Sequence, residues 1–442
     1  MIALYLYNLL LLLLFPLLYV FLLWRVANGK EDREHWGERW GALPTSVGQD
    51  KGTSPRFWVH AVSVGEVMAA APVLRELRRR FPDALIILST TTISGREVAQ
   101  KQMPPADEVI YYPLDFPWAV RRALQQVRPD MILLMEWEIW PNFLVAAKQQ
   151  GAKIAVLNGR ISDKGLRRGK SGFAGFFTAP GLAAVDQFAM QSHEDARRAV
   201  LVGADPNRVA AFGNTKFDEA STALTPDARD ALRADLHIPS DAPVWVCGST
   251  RDGEEALIAA AVRRVWETLP NLFLIVAPRH LTRADQAAAA LEGAGTGVRR
   301  RSVKDALTPL RGVRAGDPPI LLLDTFGELA RVYAVADVAF VGGSLLPFGG
   351  QSVFQPLAQG VPALFGPYMN NQRDITGLSK AEGVGFEVAD AESLAAEVVR
   401  LVSLPGEQKA ELARKARNLI ERNQGVAARC VDAVADLLER NP

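Results

Sequence analysis

The 442-residue sequence carries only two cysteines, Cys247 and Cys430, far apart and without metal-ligand spacing. That excludes a disulfide framework and a cysteine-based zinc site, and places the soluble part in a reducing compartment. The five histidines (His35, His60, His193, His237 and His280) are scattered, so no metal-binding cluster can be read from them. Neither sign of charge dominates, with 50 basic against 49 acidic residues, which argues against a nucleic-acid partner held through phosphates. There is no low-complexity tract and no short-period repeat. The turn after FWVHAVS (57–63) lacks G-x-G-x-x-G, which weighs against the familiar dinucleotide fingerprint. No strand-end Asp-x-Asp is present to hold a divalent ion on a diphosphate.

What the chain does have is apolar. Residues 2–23 hold no charge, and Asn8 is the one strongly polar side chain among them. About 20 such residues cross a bilayer as a helix. A cleaved signal peptide would need a basic stretch before the run, and no Lys or Arg precedes it. Arg25, Lys30, Arg33 and Arg39 follow, so the positive-inside rule places the rest in the cytoplasm. The reading is a retained single-pass anchor over residues 1–25, followed by a polar connector loosest at 48–52.

Beyond it, near-continuous apolar runs alternate with helical patterns, seven in the first half of the chain (57–63, 85–92, 108–114, 131–136, 153–158, 187–192 and 208–214). Five more follow at 243–250, 272–278, 319–324, 338–343 and 362–366. Such runs indicate parallel sheets covered on both faces, here two doubly wound α/β domains with a cleft between them, joined near 216–227. The boundaries are 30–220 and 221–442, with the last helix packing back on the first domain.

Ligands of such sheets sit beyond the strand carboxyl ends. Glu66 in HAVSVGE (60–66) occupies such a place, and two readings compete for it. Ser63-x-x-Glu66 matches a capping box, the better reading on local evidence. A carboxylate kept ionised by a helix N-terminus can also take a proton from an attacking hydroxyl. His60 reads as a satisfied core residue. Glu136 and Glu138 close the apolar run of LLMEWEIWPN (133–142) and need a partner or a substrate hydroxyl there. Lys216 in GNTKFD (213–218) can meet developing negative charge, although an isolated linker lysine is the plainer reading. Arg279 and His280 in APRH (277–280) suit a phosphate, and the glycines of 324–329 and 341–356 allow close backbone approach. Five cations at Arg160, Lys164, Arg167, Arg168 and Lys170 precede Phe173, Phe176 and Phe177, a composition that fits an anionic lipid surface or a mobile solvated loop.

Taken together these stretches, with STTTISGRE (89–97), STRDGEE (249–255), DTFGELARVYAVADVAFVGGSL (324–345) and GPYMNNQRD (366–374), resemble the Kdo transferases, which attach 3-deoxy-D-manno-octulosonic acid to the lipid A precursor in lipopolysaccharide synthesis. The resemblance implies a GT-B glycosyltransferase at the inner membrane. Its first domain would bind the lipid acceptor (lipid IVA) and its second the donor CMP-Kdo, with inversion at the anomeric carbon and no metal or other cofactor. It implies Glu66 as general base, Glu136 and Lys216 as stabilisers of the transition state, and Arg279, His280, Phe326, Gly327, Glu328, Ser352, Val353, Phe354 and Gln355 around the CMP. The chain departs from the family on the donor side. Gln351, Ser352 and Gln355 stand where a His-Asn pair and a Glu are usual, and Arg251 and Tyr368 each replace a His. Those departures leave open another CMP-activated acidic sugar or another acceptor, or a silent nucleotide- or lipid-binding scaffold.

Overall fold

The computed structural model describes residues 2–48, 55–102, 105–220, 223–303 and 320–440. The chain divides into two compact units, one of residues 1–219 and 423–442, the other of residues 220–422. The terminal helix Val426–Glu439 therefore belongs to the first unit, where it packs on the helix Val64–Arg80. Part of the expected connector at 48–52 lies outside the described residues; Gly48 itself ends a short helix, Thr45–Gly48.

The first unit is built on strands β1 (Arg56–His60), β2 (Leu85–Thr90), β3 (Glu108–Tyr111), β4 (Met131–Met135), β5 (Lys153–Gly159), β6 (Gln187–Met190) and β7 (Val209–Ala211). They form one parallel sheet in the order β3-β2-β1-β4-β5-β6-β7. Strand order reverses between β1 and β4, which pair from Phe57↔Met131 to His60↔Leu134. Alternation puts Phe57 and Val59 in the core shared with Val64–Arg80 and the terminal helix, and Trp58 in the core on the other face. Every residue of β2 and β4 is buried, as a sheet covered on both sides requires.

The second unit holds β8 (Val244–Thr250), β9 (Phe273–Pro278), β10 (Val298–Arg300), β11 (Ile320–Leu322), β12 (Val338–Val341), β13 (Ala363–Phe365) and β14 (Gly385–Glu387). They form a parallel sheet in the order β10-β11-β9-β8-β12-β13-β14. The reversal here lies between β8 and β12. Strands β10 and β14 are the two that the apolar runs do not reveal. Both are three residues long, stand at sheet edges and alternate with charge, as in VRR and GFE.

The basic stretch at 159–177 is not an irregular loop. It forms two helices, Asp163–Lys170 and Gly172–Ala184, each capped by a serine hydroxyl, Ser162 to Gly165 N and Ser171 to Ala174 N. The apolar run at the start is a single helix, Ile2–Ala27, with a mean hydropathy of 2.4, long enough to cross a membrane by length and composition.

Candidate active site: carboxylates and cations at two switch points

The two strand-order reversals are where ligands bind in sheets of this kind. In the first unit, β1 runs into Ala61–Ser63 and the Val64–Arg80 helix, carrying Glu66 in its first turn. β4 runs into Glu136, which takes a left-handed backbone conformation at φ 59°. That conformation costs a non-glycine residue on the order of 1 kcal/mol and turns the chain sharply off the strand end. Glu66 and Glu136 thus come from the two strands that flank the reversal.

The capping box does not form. Ser63 is the N-cap but its hydroxyl accepts no helix N–H; it donates instead to Glu66 Oε1 at 3.1 Å. Glu66 Oε2 accepts from Val62 N at 2.9 Å, one residue earlier than a capping box would place it. Nor is Glu66 kept firmly ionised. Burial pushes its pKa from 4.5 up to about 7, the Val62 and Ser63 hydrogen bonds oppose this, and the charges of Glu136 and Glu138 add to it. The three glutamates therefore act on one another, and a carboxylate near 7 is matched to taking a proton at neutral pH. Glu138 is likewise raised, by burial and by Glu136, against a 2.8 Å hydrogen bond from Trp140 Nε1.

The carboxylate loop is pinned from outside itself. Asp115 is 7% exposed and accepts from Asn142 N at 3.1 Å and Phe143 N at 2.8 Å, capping the helix Pro141–Gln149 that follows the loop. Burial raises Asp115 to about 7 despite those bonds. His60 is fully buried and stacked on Tyr112, with Nδ1 bonded to Ser89, yet Nε2 has no partner among the described residues. It is thus only half satisfied, and burial drives its pKa down to about 3, so it is neutral.

Lys216 reaches the same region through its backbone. Asn158, left-handed at φ 54° near the end of β5, accepts from Thr215 N at 3.0 Å, and Thr215 Oγ1 donates to Ala69 O at 2.8 Å. These bonds lay the Thr215–Glu219 turn on the Val64–Arg80 helix, one turn after Glu66. Next to the Glu136–Trp140 loop lies a cavity of about 320 Å³ walled by Trp137, Ile139, Ile161 and Leu182, with Arg160 and Arg168 in its lining.

At the second unit's reversal the chemistry is of the other sign. Glu254, fully buried, accepts from Arg251 N, Gly343 N, Ser344 N and Leu345 N at 2.6–3.0 Å, tying the loop after β8 to the loop after β12. Gly342 has no room for a side chain there: a Cβ would meet Ser249 O at 2.6 Å. Arg251 donates to His280 Nε2 at 2.5 Å and lies 4.8 Å from the Phe348 ring. Burial lowers the His280 pKa, and the charges of Arg251, Arg279 and Arg283 lower it further. Arg279 and His280 are exposed, while Arg283 is paired with Asp252 and Glu255.

Of the other expected donor residues, Phe326 and Gly327 are exposed, and Glu328 is bound by Thr325 Oγ1 and by Arg301 at 3.1 Å. Burial would raise Glu328, but those bonds outweigh it and hold its pKa below the usual range. Val353 and Phe354 are buried, so only their backbone can meet a ligand, whereas Ser352 and Gln355 are half-buried. Two of the donor-side departures sit together: Arg251 and Gln351 both approach Gly343.

Comparison with known proteins fits this arrangement. Residues 34–219 match the family model described as 3-deoxy-D-manno-octulosonic-acid transferase (kdotransferase). The 3-deoxy-D-manno-octulosonic acid transferase of Bordetella pertussis is 34% identical over 86% of this chain and 87% of its own length. The chain belongs to the Kdo transferase family. A probable mitochondrial member from Arabidopsis thaliana is 31% identical over 80% of this chain and 78% of its own. The Haemophilus influenzae enzyme is 28% identical over 98% and 99%.

In overall fold the chain is similar to the UDP-GlcNAc 2-epimerase of Neisseria meningitidis, with a TM-score of 0.59 at 13% identity over 86% of this chain and all of that one. It is also similar to a Rickettsia africae glycosyltransferase, with a TM-score of 0.56 at 11% identity over 88% of this chain and all of that one. Two parallel seven-stranded sheets with these neighbours make a GT-B architecture. By family, the chain is thus a glycosyltransferase.

Sequence reading missed Asn158, Asp115 and Glu254, none of which faces a ligand by motif. Their signals were faint: an Asn-Gly pair ending a strand, an acid just before a Pro-initiated helix, and an acid pair opening one.

Proposed function

We propose that this Kdo transferase moves Kdo from CMP-Kdo to a lipid A precursor of the lipid IVA type, with inversion at the anomeric carbon. The observation that carries the reading is Glu66: a carboxyl at the β1–β4 reversal whose pKa burial and two neighbouring glutamates push up to about 7. Ionised Glu66 takes the proton of the acceptor hydroxyl as that oxygen forms its bond to the anomeric carbon, and the bond to the CMP phosphate oxygen breaks on the opposite face. A single displacement of this kind inverts the centre. Glu136 and Lys216 act on the charges that develop, Glu136 beside the oxocarbenium-like sugar and Lys216 beside negative charge.

The second unit takes the donor. CMP-Kdo carries one phosphate and one sugar carboxylate, and Arg279, His280 and Arg251 offer guanidinium and imidazole groups for both without a metal ion. Glu328, Ser352 and Gln355 serve the nucleoside, with the Phe326–Gly327 turn and the backbone of Val353 and Phe354 beside it. The cavity near Arg160 and Arg168 suits the acceptor, since its apolar walls fit an acyl chain and its two guanidiniums a lipid phosphate. We place the enzyme at the inner membrane, its two units in the cytoplasm and its first helix as the anchor.

Mass spectrometry of lipid acceptor incubated with the purified chain and CMP-Kdo tests the reading. Acceptor heavier by one or more Kdo residues, with CMP released only when acceptor is present, is expected. CMP binding with no product would overturn it in favour of a binding scaffold, and a different sugar increment from another CMP-sugar would shift the donor.

A further inference from the structure

Resting on that membrane location, we infer that the helix Ile2–Ala27 lies in the plane of the cytoplasmic leaflet against the first unit, and does not cross the bilayer. Along its whole length one stripe is half-buried: Leu4, Asn8, Leu11, Phe15, Leu18 and Leu22, at alternating steps of four and three. This is the spacing of a helix seam packed on a neighbour. The contacts run from one end to the other. Asn8 Oδ1 accepts from Asn142 Nδ2 at 2.6 Å, and Tyr7 Oη donates to Asp115 Oδ2 at 3.0 Å. Further along, Phe15 meets Phe116 at 5.4 Å and Trp118 at 5.8 Å between ring centroids, and Tyr19 meets Trp40 at 6.0 Å.

A spanning helix cannot keep them. With Ala27 at the cytoplasmic surface, Asn8 would stand about 28 Å away along the axis, nearly the full hydrocarbon thickness. Asp115 and Asn142 would have to follow it there, with Arg121 and Arg122, which are exposed beside Trp118. Carrying such charges to that depth costs several kcal/mol each. Undocking instead would strand Asp115 and Asn142 without two of their partners.

The free face of the helix shows what covers it. Leu6, Leu13, Leu17 and Val20 are 45–72% exposed there. The neighbouring apolar helix Gly172–Ala184, joined through Tyr7 and Phe177, adds Phe173 at 73% and Phe176 at 44%. A continuous apolar face of this extent on a monomer marks a membrane or protein partner. The cations Lys164, Arg167, Arg168 and Lys170 on the adjoining helix, with Lys30 just past the end of the first, choose an anionic lipid surface.

The test places the N-terminus. Both native cysteines are buried, and Ile2 shares the lipid-covered face with Leu6 and Val20, so the reporter for a membrane-impermeant maleimide is a cysteine carried on a short Gly-Ser extension ahead of the chain. Labelling in inside-out vesicles and none in right-side-out spheroplasts is expected. In the same membranes, Asn8→Cys with Asn142→Cys should close a disulfide on mild oxidation. Membrane-bound protein labelled at that cysteine from the periplasm, with no disulfide, would overturn the in-plane helix alone. A full-length chain that stays soluble would overturn it together with the membrane location.

Discussion

Replacing Glu66 by Gln should stabilise the protein while disabling it. Moving a carboxyl pKa from 4.5 to about 7 corresponds to roughly 3 kcal/mol between its charged and neutral forms. The folded protein holds this proton more tightly than the unfolded chain does. Stability therefore falls as pH rises from 4.5 to about 7, and the whole penalty is present above that interval. Glu66→Gln removes the charge and keeps an oxygen for the Val62 N–H. At pH 8 the variant should gain about 1–3 kcal/mol, the lower figure allowing for the hydrogen bond that Ser63 donates, and at pH 4 it should gain nothing. For a unit of this size that is a rise in Tm of about 2–4 °C per kcal/mol. The measurement is thermal unfolding of both proteins in the same detergent at pH 4, 6 and 8, followed by a probe in the first unit. Turnover should drop by roughly 10²–10⁴-fold if Glu66 is the base, and wild-type kcat/KM should fall tenfold per pH unit below about 7. A variant no more stable at pH 8 than wild type would show that Glu66 is not held against its charge. One retaining a tenth of wild-type turnover would show that another group takes the proton.

Three further outcomes follow from the same geometry. Glu138→Gln removes one of two charges that raise Glu66, so the acid limb of the pH–rate profile should move to lower pH by a fraction of a unit, burial remaining the larger cause; an unmoved limb would refute the coupling. Asp115→Ala leaves the Asn142 and Phe143 N–H groups unpaired and should cost about 2–5 kcal/mol, read as lost Tm, with turnover falling as the Glu136–Glu138 loop loosens. Arg279→Ala should weaken CMP-Kdo binding by about 10- to 100-fold in calorimetry while leaving lipid acceptor binding unchanged, and an unchanged donor affinity would move the phosphate elsewhere.

The sheets were legible because parallel strands buried on both faces are written as unbroken apolar runs, and twelve of the fourteen strands among the described residues carry that mark. β10 and β14 carry charge and lie at edges, where burial no longer dictates composition. Within the candidate site, strand-end position singled out Glu66, Glu136 and Lys216 for consideration, but not the forces on them. Whether Glu66 is ionised depends first on its burial and then on Glu136 and Glu138, some 70 residues along the chain and next to it only once β4 has paired with β1. The capping box failed for a similar reason. Its residues are correct, yet the chain leaves β1 so that Val62 N, not Ser63 N, points at the carboxylate. Asp115 and Glu254 were invisible because their partners are backbone amides, which have no sequence identity.

On the proposed reading, the two switch points divide the reaction's charges between them. Both use a left-handed non-glycine residue where a central strand ends, Glu136 at φ 59° in one sheet and Ser249 at φ 58° within β8 in the other. Around the first the side chains are carboxylates, and burial, with the charges of Glu136 and Glu138 added, raises Glu66 to about 7. Around the second they are Arg251, Arg279 and His280, where burial and then the neighbouring guanidinium charges lower the imidazole pKa. Like charges gathered in this way destabilise a folded protein, so each cluster favours a ligand that relieves it. A hydroxyl giving up its proton relieves the first, and a phosphate with a carboxylate relieves the second. Binding energy at each point is thus tied to the charge its substrate brings. The proposed substrates, an alcohol and an acidic sugar phosphate, meet both needs, and a neutral nucleotide sugar or an acceptor amine would satisfy neither cluster as well.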